Sequence, residues 1–432
     1  MDRFFRLSAE GTTVRRETVA GVTTFLAMAY VLFVNPSVLG EIGMDTRALF
    51  VATALAAAFG TLIMGLWARY PVALAPGMGL NAFFAFTVVL GMGVPWQTAL
   101  AGTFASGVLF FLLAVTGIRE VIINAIPLQL KLASAAGIGL FIAFLGLRNA
   151  NVVVADESTL VTLGSLTQPG AVLAGFGLVV TAVFLVRGIR GGVFYGMIIT
   201  AAAGVITGHI DPPSGVVGAV PSLGPTFGEA ITNLPELLST QMIVVVFTML
   251  FVDFFDTSGA LIAIANQAGF LVDGKLPRAN RAFVSDSLAT MGGAVLGTST
   301  TTSYIESSAG VAAGGRTGLT SVVTSMLFLL SLFFSPLLSV VTPEVTAPAL
   351  IIVGVLMARA LGDIEWRELE YAIPAFVTVI AMPLTYSIAN GIALGLFLFP
   401  LMMVFKGRWR DVHPVTYVLF FVFLAYFIWL VD

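Results

Sequence analysis

Long apolar stretches, separated by short polar or basic connectors, run along almost the whole chain. A bilayer asks for a helix of about 20 apolar residues per span. Such stretches lie at 18–39, 47–67, 72–90, 96–116, 130–147, 171–186 and 191–208. A polar, Pro-rich stretch at 209–239 follows, and a second set lies at 240–265, 282–296, 299–313, 317–338, 346–360, 368–386 and 388–405. The pattern predicts an all-α polytopic membrane protein with fourteen transmembrane segments. Residues 414–431 are also apolar and aromatic, and suit either a further span or a helix at the inner surface. The opening, Met1 to Glu17, is polar and basic, and the apolar run after it has no small-residue cleavage site. The first span is therefore expected to be its own insertion signal, with the N-terminus cytoplasmic.

Charge tests this layout independently. With the N-terminus inside, Arg3, Arg6, Arg15, Arg16, Arg69, Arg119, Lys131, Arg187, Arg190, Lys275, Arg278, Arg281, Arg316, Arg359, Arg367, Lys406, Arg408 and Arg410 all fall on the inner side. Only Arg47 and Arg148 fall outside. This is the asymmetry of the positive-inside rule, and one span more or fewer midway would scramble it.

Composition narrows the class further. Charged residues are 10% and apolar residues 58% of 432, against about 25% charged in soluble domains. Mean hydropathy is +1.02. A net charge of −3 points to no particular partner, and no nucleic-acid partner is expected. The absence of Cys excludes disulfides and thiolate metal sites. His209 and His413 both fall in predicted loops, so neither a metal centre nor a cofactor is expected.

Seven spans followed by seven more place the two halves in opposite orientation, the arithmetic of an inverted repeat. Local similarity agrees. Ala57-Ala58-Phe59-Gly60-Thr61-Leu62-Ile63-Met64-Gly65 ends the second span, and Ala289-Thr290-Met291-Gly292-Gly293-Ala294-Val295-Leu296-Gly297 ends the ninth. Spans three and ten carry matching irregularities. Pro71, Pro76, Gly77 and Gly79 interrupt the third, because Pro lacks a donor and Gly is entropically costly in a helix. Gly297 to Ser303 reads Gly-Thr-Ser-Thr-Thr-Thr-Ser, which favours extended chain. Backbone that leaves the helix at membrane depth must be buried in protein or line a cavity. Two such breaks at corresponding positions point to a binding site, each with a short extended segment leading into a half-helix.

Ionisable groups deep in a membrane are functional candidates by default. Asp253 and Asp256 lie within the eighth span at i, i+3 spacing, on one helix face. Glu306 opens the half-helix of the tenth span. Carboxylates this close in low dielectric cannot all be ionised cheaply, so at least one is expected to hold a proton near neutral pH. Asp253, Asp256 and Glu306 are thus proton-coupling candidates, and each can accept ring N–H donors from a ligand. Asn81 heads the opposite half-helix and both donates and accepts. Tyr304 and Ser307 flank Glu306 and are substrate-binding candidates with it, while Pro76, Gly77, Gly79, Thr302 and Ser303 supply the broken backbone. Phe83, Phe84, Phe251, Phe254, Phe255 and Tyr304 are available to stack on a planar ring. Asn35 is expected to satisfy backbone freed by Pro36, and Asp286 to pair with Arg281 at the inner end of its span.

The motifs Ala75-Pro76-Gly77-Met78-Gly79-Leu80-Asn81-Ala82, Phe251-Val252-Asp253-Phe254-Phe255-Asp256-Thr257 and Thr300-Thr301-Thr302-Ser303-Tyr304-Ile305-Glu306-Ser307 carry a specific resemblance. Gly314-Gly315-Arg316-Thr317-Gly318-Leu319-Thr320 and Val34-Asn35-Pro36 add to it. Over 15–412 the chain resembles the azaguanine/hypoxanthine/guanine/adenine permease branch of the nucleobase–cation symporters. The resemblance implies the fourteen-span, seven-plus-seven fold of the uracil permease. It implies core-domain spans at 15–116 and 240–340, gate-domain spans at 117–208 and 341–412, an extracytoplasmic connector at 209–239 and a C-terminal apolar segment at 413–432. It implies proton-coupled import of purine nucleobases across the bacterial cytoplasmic (inner) membrane, often through a homodimer. Substrate contact is carried onto Asn81, Asp253 and Glu306, with Asp256 as a supporting acid. Ala260 stands where that family has Thr, which loosens any transfer of fine specificity. The rival readings are an inorganic-anion transporter on the same architecture and a membrane-embedded metal-dependent enzyme. Asp253, Asp256 and Glu306 would repel an oxyanion, and no second Asp cluster completes a metal–diphosphate site.

Overall fold

The computed structural model describes residues 2–116, 127–270 and 276–429, so Arg119 and Lys275 lie outside the described residues. Eight described helices are long and apolar enough to cross a membrane: Val14–Gly40, Thr46–Ala68, Trp96–Thr116, Leu128–Asn149, Pro169–Val186, Gln241–Ser258, Gly318–Val340 and Pro343–Asp363. Met78–Gly91, Gly192–Ile206, Leu369–Leu384 and Asn390–Phe405 are shorter apolar helices. The chain is a multi-pass membrane protein.

Local sequence explains where several helices start. Asp45 accepts from the Ala48 N–H at 2.8 Å and opens Thr46–Ile63, and the Ser387 hydroxyl accepts from the Asn390 N–H at 3.2 Å to open Ile388–Phe405. The N-terminus of Gly318–Ser331 is closed by a residue from far away. Glu17, fully buried, accepts from the backbone N–H groups of Arg316, Thr317 and Thr320 and from the hydroxyls of Thr317 and Thr320 at 2.7–3.2 Å. A carboxylate at this end also meets the positive pole of the helix.

The helices fall into two packed groups. The first contains Val14–Met28, Val31–Gly40, Thr46–Ile63, Trp96–Thr116, Thr240–Ala268, Ala279–Leu296 and Gly318–Ser331. The second contains Leu128–Asn149, Pro169–Val186, Gly192–Ile206, Pro343–Met357, Leu369–Leu384 and Ile388–Phe405. The similar small-residue stretches at 57–65 and 289–297 lie against each other in the first group, Gly60 facing Ala289 and Gly292 facing Phe59. Small residues at a helix interface let backbones approach closely without a side chain between them.

The described residues also form four short strands. β1 (Leu74–Pro76) pairs antiparallel with β4 (Thr301–Ser303), and β2 (Val153–Asp156) forms a hairpin with β3 (Leu160–Leu163). The hairpin lies in a connector that the apolar pattern left without structure. Pro414–Trp429 is a helix packed on Ile388–Phe405, with the rings of Phe397 and Phe420 stacked at 5.0 Å.

Candidate functional site: two crossed helix breaks

The third and tenth apolar segments both leave the helix, as their Pro, Gly and Thr content predicts. The two extended pieces find each other. Leu74 stands opposite Ser303, Ala75 opposite Thr302 and Pro76 opposite Thr301. The Gly77 N–H donates to the Thr300 carbonyl at 2.9 Å, the Tyr304 N–H to the Ala73 carbonyl at 3.0 Å, and the Ala73 N–H to the Ser307 hydroxyl at 2.9 Å. Pro76 fits at the end of a strand because it is the one residue with no N–H to place. From this two-stranded ribbon, Met78–Ala82 continues into the widened helix Phe83–Gly91, and Ser307–Ala312 leaves from the other strand. Strand residues 301–303 are at most 3% exposed, so the break is buried in protein, as a bilayer requires.

Four carboxyl groups surround this ribbon. Asp253 is 1% exposed; its Oδ2 lies 3.4 Å from the Thr290 hydroxyl, which itself donates to the Thr301 carbonyl at 2.8 Å. Asp253 Oδ1 has no hydrogen-bond partner among the described residues, nor has Asn81 Nδ2. Asn81 Oδ1 accepts from the Ser299 hydroxyl. Asp256 is partly exposed, and its Oδ2 lies 3.7 Å from the place a Cβ on residue 77 would occupy. Glu306 is also partly exposed and accepts from the Tyr30 hydroxyl at 2.7 Å through Oε1. Among the described residues, none of the four makes an ion pair.

The fourth is Asp286, and its position corrects the expectation of a pair with Arg281. Asp286 is fully buried and accepts from the Thr257 hydroxyl at 2.9 Å and the Ser303 hydroxyl at 3.0 Å. Thr257 and Thr302 share a further hydroxyl contact at 2.7 Å. Asp286 thus anchors the Thr240–Ala268 helix to the tenth-segment strand. It stands five residues beyond Arg281, which made an end-of-helix pair the simplest sequence reading; only the long-range fold brings Ser303 to it.

The expectation for Asn35 is also corrected. Asn35 does not serve the backbone around Pro36: its Nδ2 donates to the hydroxyls of Thr53 at 2.6 Å and Thr298 at 2.9 Å, fastening the first span to the second and to the tenth segment. Tyr304 donates to the Pro76 carbonyl, and Ser307 receives the Ala73 N–H, so both hold the two breaks together. Phe83, Phe84, Phe251 and Phe254 are at most 7% exposed and sit in apolar clusters, Phe254 edge-on to Phe110 at 5.7 Å. The Phe255 side chain lies outside the described residues. Tyr30, which meets Glu306, carried no local signal, being one aromatic among many in an apolar span.

The second helix group comes close to the site at Gly79. A Cβ on Gly79 would come 2.5 Å from Ile138 Cγ2, so Ile138 of Leu128–Asn149 rests directly on the half-helix backbone.

Comparison with known proteins agrees with this architecture. The chain is 56% identical to the guanine/hypoxanthine permease PbuG of Bacillus subtilis (strain 168), over 100% of both chains. It is 45% identical to the adenine permease AdeQ of Escherichia coli (strain K12), over 96% of this chain and 93% of that protein. Among solved structures, the transmembrane domain of the cyanobacterial bicarbonate transporter BicA superposes with a TM-score of 0.66 at 14% identity, covering 87% of this chain and 96% of that one. That last likeness is one of fold. With residues 15–394 matching the family-wide pattern, the chain belongs to the permease family Xan_ur_permease and is a transporter, not an enzyme.

Proposed function

We propose that this permease imports purine nucleobases such as hypoxanthine, guanine or adenine with protons, by alternating access across the bacterial cytoplasmic (inner) membrane. The observation that carries the reading is the pairing of β1 with β4, which gathers Asn81, Asp253, Asp256 and Glu306 from three separate segments around one buried ribbon. A purine base offers ring N–H donors and ring-nitrogen acceptors. Carboxylates accept the former, and an Asn amide both donates and accepts. The guanine/hypoxanthine and adenine permeases among the relatives support the same substrate class.

In this reading the chain is a fourteen-span, seven-plus-seven inverted repeat with its N-terminus cytoplasmic. The first helix group is the core, spanning 15–116 and 240–340; the second is the gate, spanning 117–208 and 341–412. Asp256 and Glu306 are the acids within reach of a ligand, because both are partly exposed. Asp253 and Asp286 lie behind them, linked through Thr290, Thr257 and the ribbon hydroxyls. Protonation of this cluster and binding of a base favour one another, since each removes uncompensated negative charge or fills an unsatisfied acceptor. The core then moves against the gate and releases both inside.

Uptake of radiolabelled hypoxanthine, guanine and adenine into cells lacking their own purine transport tests the reading. Saturable uptake of at least one base, abolished by a protonophore, is the expected result; no uptake of any base contradicts it. The fold likeness to BicA raises anion transport as the second reading. Four carboxyl groups with no ion pair among the described residues disfavour an anion, and inhibition by sulfate but not by purines would reverse that judgement.

A further inference from the structure

Arg148 is one of only two basic residues that the span pattern leaves outside, and the transport reading makes no use of it. It ends the gate helix Leu128–Asn149. Its Nη1 lies 3.6 Å from Oε2 of Glu41, just past the core helix Val31–Gly40, and donates to the Tyr386 hydroxyl at 2.5 Å. Its guanidinium carbon stands 5.9 Å from the Tyr386 ring centroid. Tyr386 sits in the gate connector between Leu369–Leu384 and Ile388–Phe405 with φ +52°, a left-handed conformation that a bulky residue adopts only when its surroundings hold it there. Those surroundings are aromatic. Phe86 of the core and Phe141 of the gate both meet the ring nearly edge-on at 5.3 Å, and Phe144 at 6.1 Å.

Glu41 and Phe86 belong to the core; Arg148, Phe141, Phe144 and Tyr386 belong to the gate. The Arg148–Glu41 ion pair and the Phe86–Tyr386 ring contact therefore cross the boundary that alternating access must open. Ile305, beside the partly exposed Glu306, is 51% exposed. We propose that Arg148 and Tyr386 form an outer latch on Glu41 and Phe86, and that its release admits substrate from outside. Arg148 is a positioning residue in this account, acting on the core–gate equilibrium without touching the base. The side chains of Arg148 and Glu41 are 49% and 28% exposed. A partly exposed ion pair such as Arg148–Glu41 shifts an equilibrium by only about two- to fivefold. Interactions of that size hold a closed state and still release it in every cycle.

The latch rests on the alternating-access reading, and sided thiol labelling separates the two. The chain has no Cys, so single cysteines report cleanly. Ile142→Cys lies on the gate helix between Ile138 and Arg148 at a position 1% exposed, and Ile305→Cys reports the other side. With a membrane-impermeant maleimide, adding Arg148→Ala should speed labelling of Ile142→Cys from outside by roughly two- to fivefold, the effect of losing the ion pair that crosses the boundary. It should slow labelling of Ile305→Cys from inside. Tyr386→Phe, which keeps the ring, should give a smaller change of the same sign. Unchanged Ile142→Cys labelling in Arg148→Ala overturns the latch, as does faster labelling on both sides, which would mean general loosening. In the parent, hypoxanthine should change the Ile142→Cys rate. A parent that transports no base and shows no such change contradicts alternating access itself, whereas a purine-responsive parent with an unresponsive Arg148→Ala contradicts the latch alone.

Discussion

Gly77 and Thr302 stand so close that a Cβ on residue 77 would lie 2.6 Å from Thr302 Cγ2 and 3.7 Å from Asp256 Oδ2. The contact joins the two helix breaks at the point where a partly exposed acid looks onto them. It makes residue 77 a test of whether the crossed ribbon, and not merely a pair of kinks, is what transport needs. Gly77→Ala must push Thr302 away from Thr257 or spread the strands. Overpacking of this kind costs about 1–3 kcal/mol, so transport should fall by roughly 5- to 150-fold while the protein still inserts. Uptake at parental level, with normal surface expression, would show the close approach to be incidental.

Gly79 tests the boundary between the two helix groups. Gly79→Ala places a methyl 2.5 Å from Ile138 Cγ2, so it should impair uptake even though no acid is altered. Trimming the partner should restore it: Gly79→Ala with Ile138→Ala should transport better than Gly79→Ala alone. Residues in direct contact couple by about 0.5–3 kcal/mol in such cycles. Additive effects would place the damage elsewhere.

The four acids should separate by exposure. Asp256→Asn and Glu306→Gln each remove an acceptor within reach of the base, and leaving a buried donor unpaired costs about 1–3 kcal/mol. Affinity for hypoxanthine should therefore weaken by roughly 10- to 100-fold at constant fold stability. Asp286→Asn instead disturbs the hydroxyls of Thr257 and Ser303, and should lower thermal stability along with activity. Titration of base binding by isothermal calorimetry, beside a thermal melt of each variant, distinguishes the two classes. Equal affinity in Asp256→Asn, Glu306→Gln and the parent would remove both acids from the site.

Glu17 gives a prediction about stability alone. Its carboxylate receives five hydrogen bonds at the start of Gly318–Ser331. An amide has one acceptor oxygen in place of two, so Glu17→Gln should cost about 1–3 kcal/mol and lower the melting temperature. Base affinity in the surviving folded protein should stay at the parental value. A Glu17→Gln protein as stable as the parent would show the cap to be dispensable.

The sequence made the helix breaks legible because their cause is local: Pro76, Gly77 and the Thr run at 300–302 act on their own backbone. Asp253, Asp256 and Glu306 stood out because a charge in an apolar run needs a reason. What the sequence could not display was pairing across distance. Nothing near Leu74 announces Ser303 as its neighbour, and nothing near Glu17 announces Thr320. Asp286 was misplaced for the same reason: Arg281 is near in sequence and Ser303 is not. Exposure was equally hidden. The i, i+3 spacing puts Asp253 and Asp256 on one face, yet packing against the Ala279–Leu296 helix buries the first and leaves the second accessible.

The central claim is that these acids couple proton entry to base entry, and proteoliposomes measure it most directly. Initial uptake of radiolabelled hypoxanthine, guanine and adenine would be followed with the lumen alkaline, with no pH gradient, and with the gradient collapsed by a protonophore. The account predicts that at least one base accumulates only under the gradient, and that Asp253→Asn or Glu306→Gln abolishes accumulation or flattens its pH dependence. Accumulation indifferent to the gradient, or wild-type pH dependence in both variants, would contradict it.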